Sequence, residues 1–176
     1  FHNDERPRNV WTEQLALAEN IGSLSSPALI PENYAHRVEV FGLCAVVLAE
    51  DGLLWNMRIL SDGPLGRKYG YSDEASAAAP AKIAEVITLI DTRLKQQAER
   101  GSKYLVGDSL SAADIYWATM GMSVMATPPE IMPVTKQNQG MLKFFAANSE
   151  LPGIANVLSQ RVKDHQRYIL TTYCET

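Results

Sequence analysis

Apolar residues recur at helical spacing along almost the whole of this chain, and no segment alternates apolar and polar residues as a half-buried strand does. The pattern is clearest at residues 80–100, where apolar side chains fall three and four residues apart and Gly101 marks the end. The same spacing predicts further helices at about residues 10–20, 33–50, 53–60, 112–126, 141–147 and 154–173, with a loop at 61–71. Helices without strands bury their apolar stripes against one another, so the sequence predicts an all-α helical bundle.

The charge balance and the cysteine count exclude several classes of function. Sixteen Lys and Arg residues stand against twenty Asp and Glu, a net charge of −4, and no basic stripe offers a counter-charge for nucleic acid. No apolar run approaches the roughly 18 residues that cross a membrane, and no signal peptide opens the chain. The two cysteines, Cys44 and Cys174, suggest neither a disulfide framework nor a metal cluster. We therefore expect a cytoplasmic protein that binds no nucleic acid and no membrane.

The most specific motif lies at residues 104–115, where a helix is predicted to begin. Ser111 is placed as the N-cap, with a hydroxyl that can accept from the backbone N–H of Asp114. The Asp114 carboxylate can reach back to the N–H of Ser111 and close a capping box. Leu110 before the cap and Ile115 after it can then pack together as a hydrophobic staple.

This motif, Tyr-Leu-Val-Gly-Asp-x-Leu-Ser-x-Ala-Asp-Ile, resembles the capping box and staple of the glutathione transferase C-terminal domain, which starts the central helix of that fold. Leu29-Ile30-Pro31 followed by Arg37 resembles the linker and first helix of the domain, and the segment at 50–55 resembles a bacterial subgroup with a Glu-x-Gly-Leu-x-Trp pattern. The resemblance implies two parts. Residues 1–28 would be a remnant helix and linker of a thioredoxin-like half, and residues 29–176 a glutathione S-transferase C-terminal-like helical bundle.

The resemblance also implies a function. In this family the thioredoxin-like half binds glutathione and activates its thiol, and no strand-helix-strand precedes residue 10 here. We therefore expect no catalytic residue in this chain and no activation of glutathione by it alone. The chain would be the substrate-binding half of a transferase that joins glutathione to a small hydrophobic electrophile. The alternative is a non-catalytic module for protein association or for apolar ligand binding.

Positions that would line the family's second-substrate pocket are apolar here. They come from the first and fourth helices of the domain and are Phe41, Cys44, Leu48 and Trp55, with Tyr116 and Met120 opposite. Apolar residues at helical spacing are also what a bundle core requires, and core packing is the favoured interpretation of each.

Two histidines and the first helix complete the list of candidates. His36 and Glu39 have the spacing of half a metal site but lack a second pair of ligands, so no metal site is predicted. His165 is interpreted as a helix-surface residue. The helix at 10–20 is expected to expose Trp11, Leu15 and Leu17 or to cover them by self-association, which predicts a homodimer.

Overall fold

The computed structural model describes residues 6–22 and 27–174, and it confirms the all-α class because those residues form helices and no strand. Residues 1–5, part of the predicted linker (23–26) and the last two residues lie outside the described part. The described residues form nine α-helices, in order α1 Trp11–Gly22, α2 Tyr34–Leu48, α3 Leu53–Arg58, α4 Pro64–Lys68, α5 Asp73–Glu99, α6 Ala112–Met120, α7 Gln139–Ser149, α8 Pro152–Ala155 and α9 Gln160–Tyr173. Among the described helices, none is both long enough and apolar enough to cross a membrane.

The core lies where α5 and α6 meet their neighbours. The α5 helix packs against α3, α8 and α9, while α6 packs between α2 and α9. The apolar stripe predicted on α5 is buried, and Trp117 on α6 has no exposed surface. The largest fully buried side chains include Leu53, Ile83, Ile87, Ile90, Leu105 and Trp117. The bundle therefore has the capping-box helix α6 among its central elements.

Helix boundaries differ from the predictions mainly at glycine and proline. The predicted loop at 61–71 contains α4, because Pro64 takes the first helical position, where a missing N–H costs nothing. The α5 helix starts at Asp73 instead of 80, with the Ser72 hydroxyl accepting from the N–H of Ala75 at 3.1 Å. Pro80 lies inside this helix without ending it.

Two later helices are shorter or divided. The helix predicted at 112–126 ends at Met120 and continues as a 3-10 turn, Gly121–Ser123, whose last carbonyl accepts from Asn148 Nδ2 at 2.9 Å. The helix predicted at 154–173 is two helices, α8 and α9. A separate N-cap begins α9, since the Ser159 hydroxyl accepts from the N–H of Val162 at 3.2 Å.

The expectation that α1 exposes an apolar face is wrong for Leu15, which is 6% exposed and belongs to the core. Trp11 is half-buried against the same core, and Leu17 is also half-buried. The reason is that α1 folds back onto the bundle. The Glu19 carboxylate accepts the N–H of Leu29 at 3.0 Å, and the Leu29 carbonyl accepts the N–H of Ala112 at 2.9 Å.

Candidate functional site

Asp114 lies fully buried in the first turn of α6, where its carboxylate accepts four hydrogen bonds. Its Oδ2 accepts the backbone N–H of Ser111 at 2.9 Å and the Ser111 hydroxyl at 2.8 Å. Its Oδ1 accepts the N–H of Leu105 at 2.8 Å and pairs with Nε2 of His165 at 3.0 Å. With the carboxylate oxygen as acceptor, the N–H at Nε2 of His165 is the donor of this hydrogen bond. These contacts tie α6 to the loop before it and to α9.

The start of α6 has the capping geometry that its sequence suggests. Ser111 and Asp114 form a capping box. Leu110 and Ile115, on either side of it, both pack against one small apolar cluster that includes Ile169 and Leu170 of α9. The box holds the first turn in place, and the direction of α6 follows from it.

His165 is not the surface residue that the sequence suggested. Its side chain is 4% exposed and lies between α9 and the start of α6. The pattern along α9 contained this information, since the buried residues of α9 are Val162, His165, Gln166, Ile169 and Leu170, at steps of three and four. Because a histidine and a glutamine interrupt this stripe, the sequence of α9 does not identify it as a buried apolar face. The Gln166 side chain is used as well, donating to the carbonyl of Ala118 at 3.1 Å.

Five of the six predicted pocket residues lie on the helices that form the α2–α6 contact. Phe41, Leu48, Tyr116 and Met120 are half-buried against the core, and Cys44 is fully buried within it. Trp11 of α1 closes this group. Its ring centroid is 6.0 Å from that of Phe41 and 6.5 Å from that of Tyr116, the latter edge-on. We call the group formed by Trp11, Phe41, Cys44, Leu48, Tyr116 and Met120 the α2–α6 cluster.

Trp55, on α3, packs outside this cluster. Its ring stands edge-on to Tyr69 with centroids 4.9 Å apart, and the guanidinium of Arg58 lies over the Tyr69 ring, 4.4 Å from its centroid. This arrangement fastens α3 to the end of α4. Trp55 therefore packs between two short helices.

The α2–α6 cluster keeps its two titratable groups neutral. Burial, with a smaller effect from the negative charge of Asp114, raises the pKa of the Cys44 thiol to about 12. Burial also raises the pKa of Tyr116, with a smaller effect from Cys44. A thiol with a raised pKa is a poor nucleophile, so the cluster offers an apolar, aromatic wall in place of a reactive group.

His36 and Glu39, which have the spacing of half a metal site, make other contacts in the structure. His36 is exposed at the start of α2, and its ring lies against the backbone at Gly107. Glu39 forms an ion pair with Arg93 of α5. Within residues 6–22 and 27–174, no three His, Cys, Asp or Glu side chains come together as metal ligands would.

Comparison with known proteins adds a family assignment. The family model described as "Glutathione S-transferase, C-terminal domain" matches residues 65–161, more than half of the chain. The match includes the whole of α5, α6, α7 and α8 together with the capping box, but α2 and its half of the cluster precede it. No curated protein matches the chain.

Proposed function

Since the chain belongs to the family of glutathione S-transferase C-terminal domains, we propose that its helical domain binds the second, electrophilic substrate of a glutathione S-transferase-like protein. The observation that carries the proposal is the meeting of three aromatic rings from three helices, Trp11, Phe41 and Tyr116. None of the three is fully buried. Aromatic walls of this kind bind flat apolar molecules through dispersion and edge-to-face contacts.

The chemistry of the cluster suits an apolar aryl compound and does not suit glutathione. Glutathione carries two carboxylates and an ammonium group, which need charged or strongly polar partners when they leave water. The hydrogen-bonding groups of the cluster are neutral: the thiol of Cys44, the hydroxyl of Tyr116 and the indole N–H of Trp11. Glutathione would instead be bound and activated by a thioredoxin-like half, as the family resemblance implies.

Binding of the uncharged aryl compound 2-naphthol, measured by isothermal titration calorimetry, tests this proposal. Phe41→Ala removes a ring from the cluster, so we expect its affinity to fall about tenfold, the equivalent of roughly 1.4 kcal/mol. Phe144→Ala, which removes an equal ring from the exposed face of α7, is the matched control and should bind as the wild type does. Thermal melting of both variants checks that each is folded.

Equal affinities for the two phenylalanine variants would contradict the proposal. A parallel titration with glutathione tests whether this chain binds glutathione by itself. We expect no saturable heat at millimolar glutathione, and saturable heat would mean that this chain has a glutathione site of its own.

A second role, self-association, is favoured by the face that α2 and α5 share. Along α2, Tyr34, Val38, Gly42 and Val46 follow one another at four-residue steps. Val38 is 73% exposed, and Leu89 on α5 is 45% exposed. Between the helices lies an open groove of about 380 Å³, lined by Gly42, Leu43, Val46, Leu89, Thr92 and Gln96 together with the Glu39–Arg93 ion pair.

This face is the basis on which we propose a homodimer, in place of the exposed α1 helix that the sequence suggested. A stripe with small Gly42 between larger apolar residues lets a second helix approach closely. We also propose a reducing, cytoplasmic setting for the protein, because Cys44 and Cys174 are both free thiols.

A further inference from the structure

Three tyrosines meet where the end of α9 packs against the loop before α6. Tyr104 belongs to that loop, while Tyr168 and Tyr173 belong to α9. Their hydroxyl oxygens form a closed group: that of Tyr104 lies 2.6 Å from that of Tyr173 and 3.3 Å from that of Tyr168, and the last two lie 3.3 Å apart. The centroids of the three rings are 5.9 to 6.4 Å apart. Neither the α2–α6 cluster nor the capping box uses these hydroxyl groups.

The chain has seven tyrosines, and within its described part these three are the ones whose rings contact another tyrosine. Elsewhere, Tyr69 packs against Trp55 and Tyr116 packs against Trp11. Tyr34 is 80% exposed at the start of α2. The end of α9 is therefore the place where one phenol of this protein can react with another.

The closest pair, Tyr104 and Tyr173, is accessible and able to move. Both rings line an open groove of about 500 Å³, through which small molecules reach them. Tyr173 is 42% exposed and is the last residue of α9, and helix ends fray. A small displacement of its ring against that of Tyr104 therefore leaves the rest of the bundle in place.

The three hydroxyl groups also differ in acidity. Hydrogen bonds from Tyr104 and then Tyr173 lower the pKa of Tyr168, whereas hydrogen bonds with Tyr168 and then Tyr173 raise the pKa of Tyr104. A phenolate loses an electron more readily than a phenol, and a hydrogen atom moves easily along a hydrogen bond between a phenol and a phenoxyl radical. An electron removed at Tyr168 is therefore replaced from its two neighbours.

We propose that Tyr104 and Tyr173 are a site of oxidative modification, where a one-electron oxidant, a peroxyl radical or a peroxidase intermediate, joins the two rings as a dityrosine. Each phenol gives one electron to the oxidant and its hydroxyl proton to water, and the two radicals form a carbon–carbon bond between ring carbons adjacent to the oxygens. The hydrogens on those carbons move to the oxygens and restore both phenols, so the product has lost two hydrogen atoms. Its hydroxyl groups lie side by side, as those of Tyr104 and Tyr173 already do. This site does not depend on the function proposed for the α2–α6 cluster.

Photo-oxidation of the purified chain with tris(bipyridine)ruthenium(II) and persulfate, which act as a one-electron oxidant, tests the site. At low micromolar concentration we expect a tryptic product in which residues 104–136 are joined to residues 168–176, lighter than its parts by two hydrogens and with dityrosine fluorescence. Fragmentation in the mass spectrometer should assign the bond to Tyr104 and Tyr173. Tyr104→Phe and Tyr173→Phe should each lose this product. Tyr34→Phe, which removes the most exposed tyrosine of the described chain, is the matched control and should retain it.

Two further measurements separate the link from other oxidation products. The link closes a loop of 69 residues, so the melting temperature of the oxidised wild type should rise by about 5–10 °C. Dithiothreitol should not reverse this rise, because a carbon–carbon bond, unlike a disulfide at Cys174, is not reduced by thiols. Tyr168→Phe should slow the appearance of the link without changing its position.

Three results would overturn the proposal. One is a wild type that gives no linked peptide. Another is a linked peptide that is as abundant in Tyr173→Phe as in the wild type, which would mean that Tyr173 is not part of the link. The third is a faster link between the Tyr34 residues of two molecules, which would mean that exposure and not the geometry of the tyrosine group decides the reaction. Melting temperatures of the variants before oxidation show whether each is folded.

Discussion

His165 Nε2 and Asp114 Oδ1 lie 3.0 Å apart, and this hydrogen bond joins α9 to the first turn of α6 inside the bundle. The two residues are 51 positions apart in the chain. Asp114 also holds the N–H groups of Ser111 and Leu105, so a single buried carboxylate connects three segments.

Removing this carboxylate should cost more stability than removing the hydroxyl that caps the same helix. Asp114→Ala leaves two buried backbone donors and one histidine donor without a partner, and we expect a loss of about 3 kcal/mol or more in the free energy of unfolding. Ser111→Ala should cost about 1 kcal/mol, a typical value for an N-cap. Urea denaturation followed by circular dichroism measures both. The double variant should be close to Asp114→Ala alone, because the two side chains bond to each other. Additive losses would contradict this.

Gly107 is held in a conformation that side chains with a Cβ rarely adopt, with φ of +62°. A Cβ there would also meet the ring of His36 at 3.2 Å. We expect Gly107→Ala to destabilise the fold by about 1–2 kcal/mol. Gly140→Ala is the matched control. Gly140 lies in α7 with nothing near its Cβ position, so alanine there should be neutral or stabilise by up to about 1 kcal/mol. If both substitutions gave the same melting temperature, the strain at Gly107 would be refuted.

The two free thiols should react at different rates. Cys44 is completely buried, whereas Cys174 is only partly so. Iodoacetamide at pH 8 should therefore alkylate Cys174 in the native protein and leave Cys44 unmodified until urea is added. Peptide mass mapping distinguishes the two sites. Rapid native labelling of Cys44 would mean that the α2–α6 cluster opens to solvent.

The same thiol should affect stability in alkaline solution. Folding raises the pKa of Cys44 to about 12, so the folded state retains the thiol proton at pH values where the unfolded state releases it. The contribution is complete below the unfolded pKa of about 8.5 and is lost as the pH rises from there towards the folded pKa. Between about pH 9 and 10.5, the urea midpoint of the wild type should fall more steeply than that of Cys44→Ala. Parallel slopes would contradict the assignment.

The proposed dimer face can be tested by placing a charge on it. Val38→Glu puts a carboxylate in the middle of the α2 stripe, and we expect sedimentation velocity to show a monomer where the wild type is a dimer. Val134→Glu adds the same charge at another apolar residue, 62% exposed between α6 and α7, and should remain dimeric. A wild type that is monomeric at high micromolar concentration, or a Val38→Glu variant that still dimerises, would refute this interface.

The features that were best predicted from the sequence are those that depend on residues close together along the chain. The α5 stripe and the segment around Ser111 are local, since spacing and capping chemistry act within one or two turns. His165 and Leu15 were interpreted wrongly because their burial depends on which helix folds back onto them. For the candidate pocket, the spacing of residues in the sequence could assign each of them to a helix. It could not show that Trp11 of α1 would close the α2–α6 cluster, nor that Trp55 would instead pack against Tyr69.

The bond between Asp114 and His165 also bears on how the protein is made. A ribosome releases Asp114 well before His165, which follows 51 residues later. During that interval the nascent chain can form the capping box, but the carboxylate lacks its last donor and the surface of α6 that will meet α9 is open to water. Translation through α9 would let that helix cover it, so the pace of synthesis over these residues sets how long the chain is exposed to aggregation.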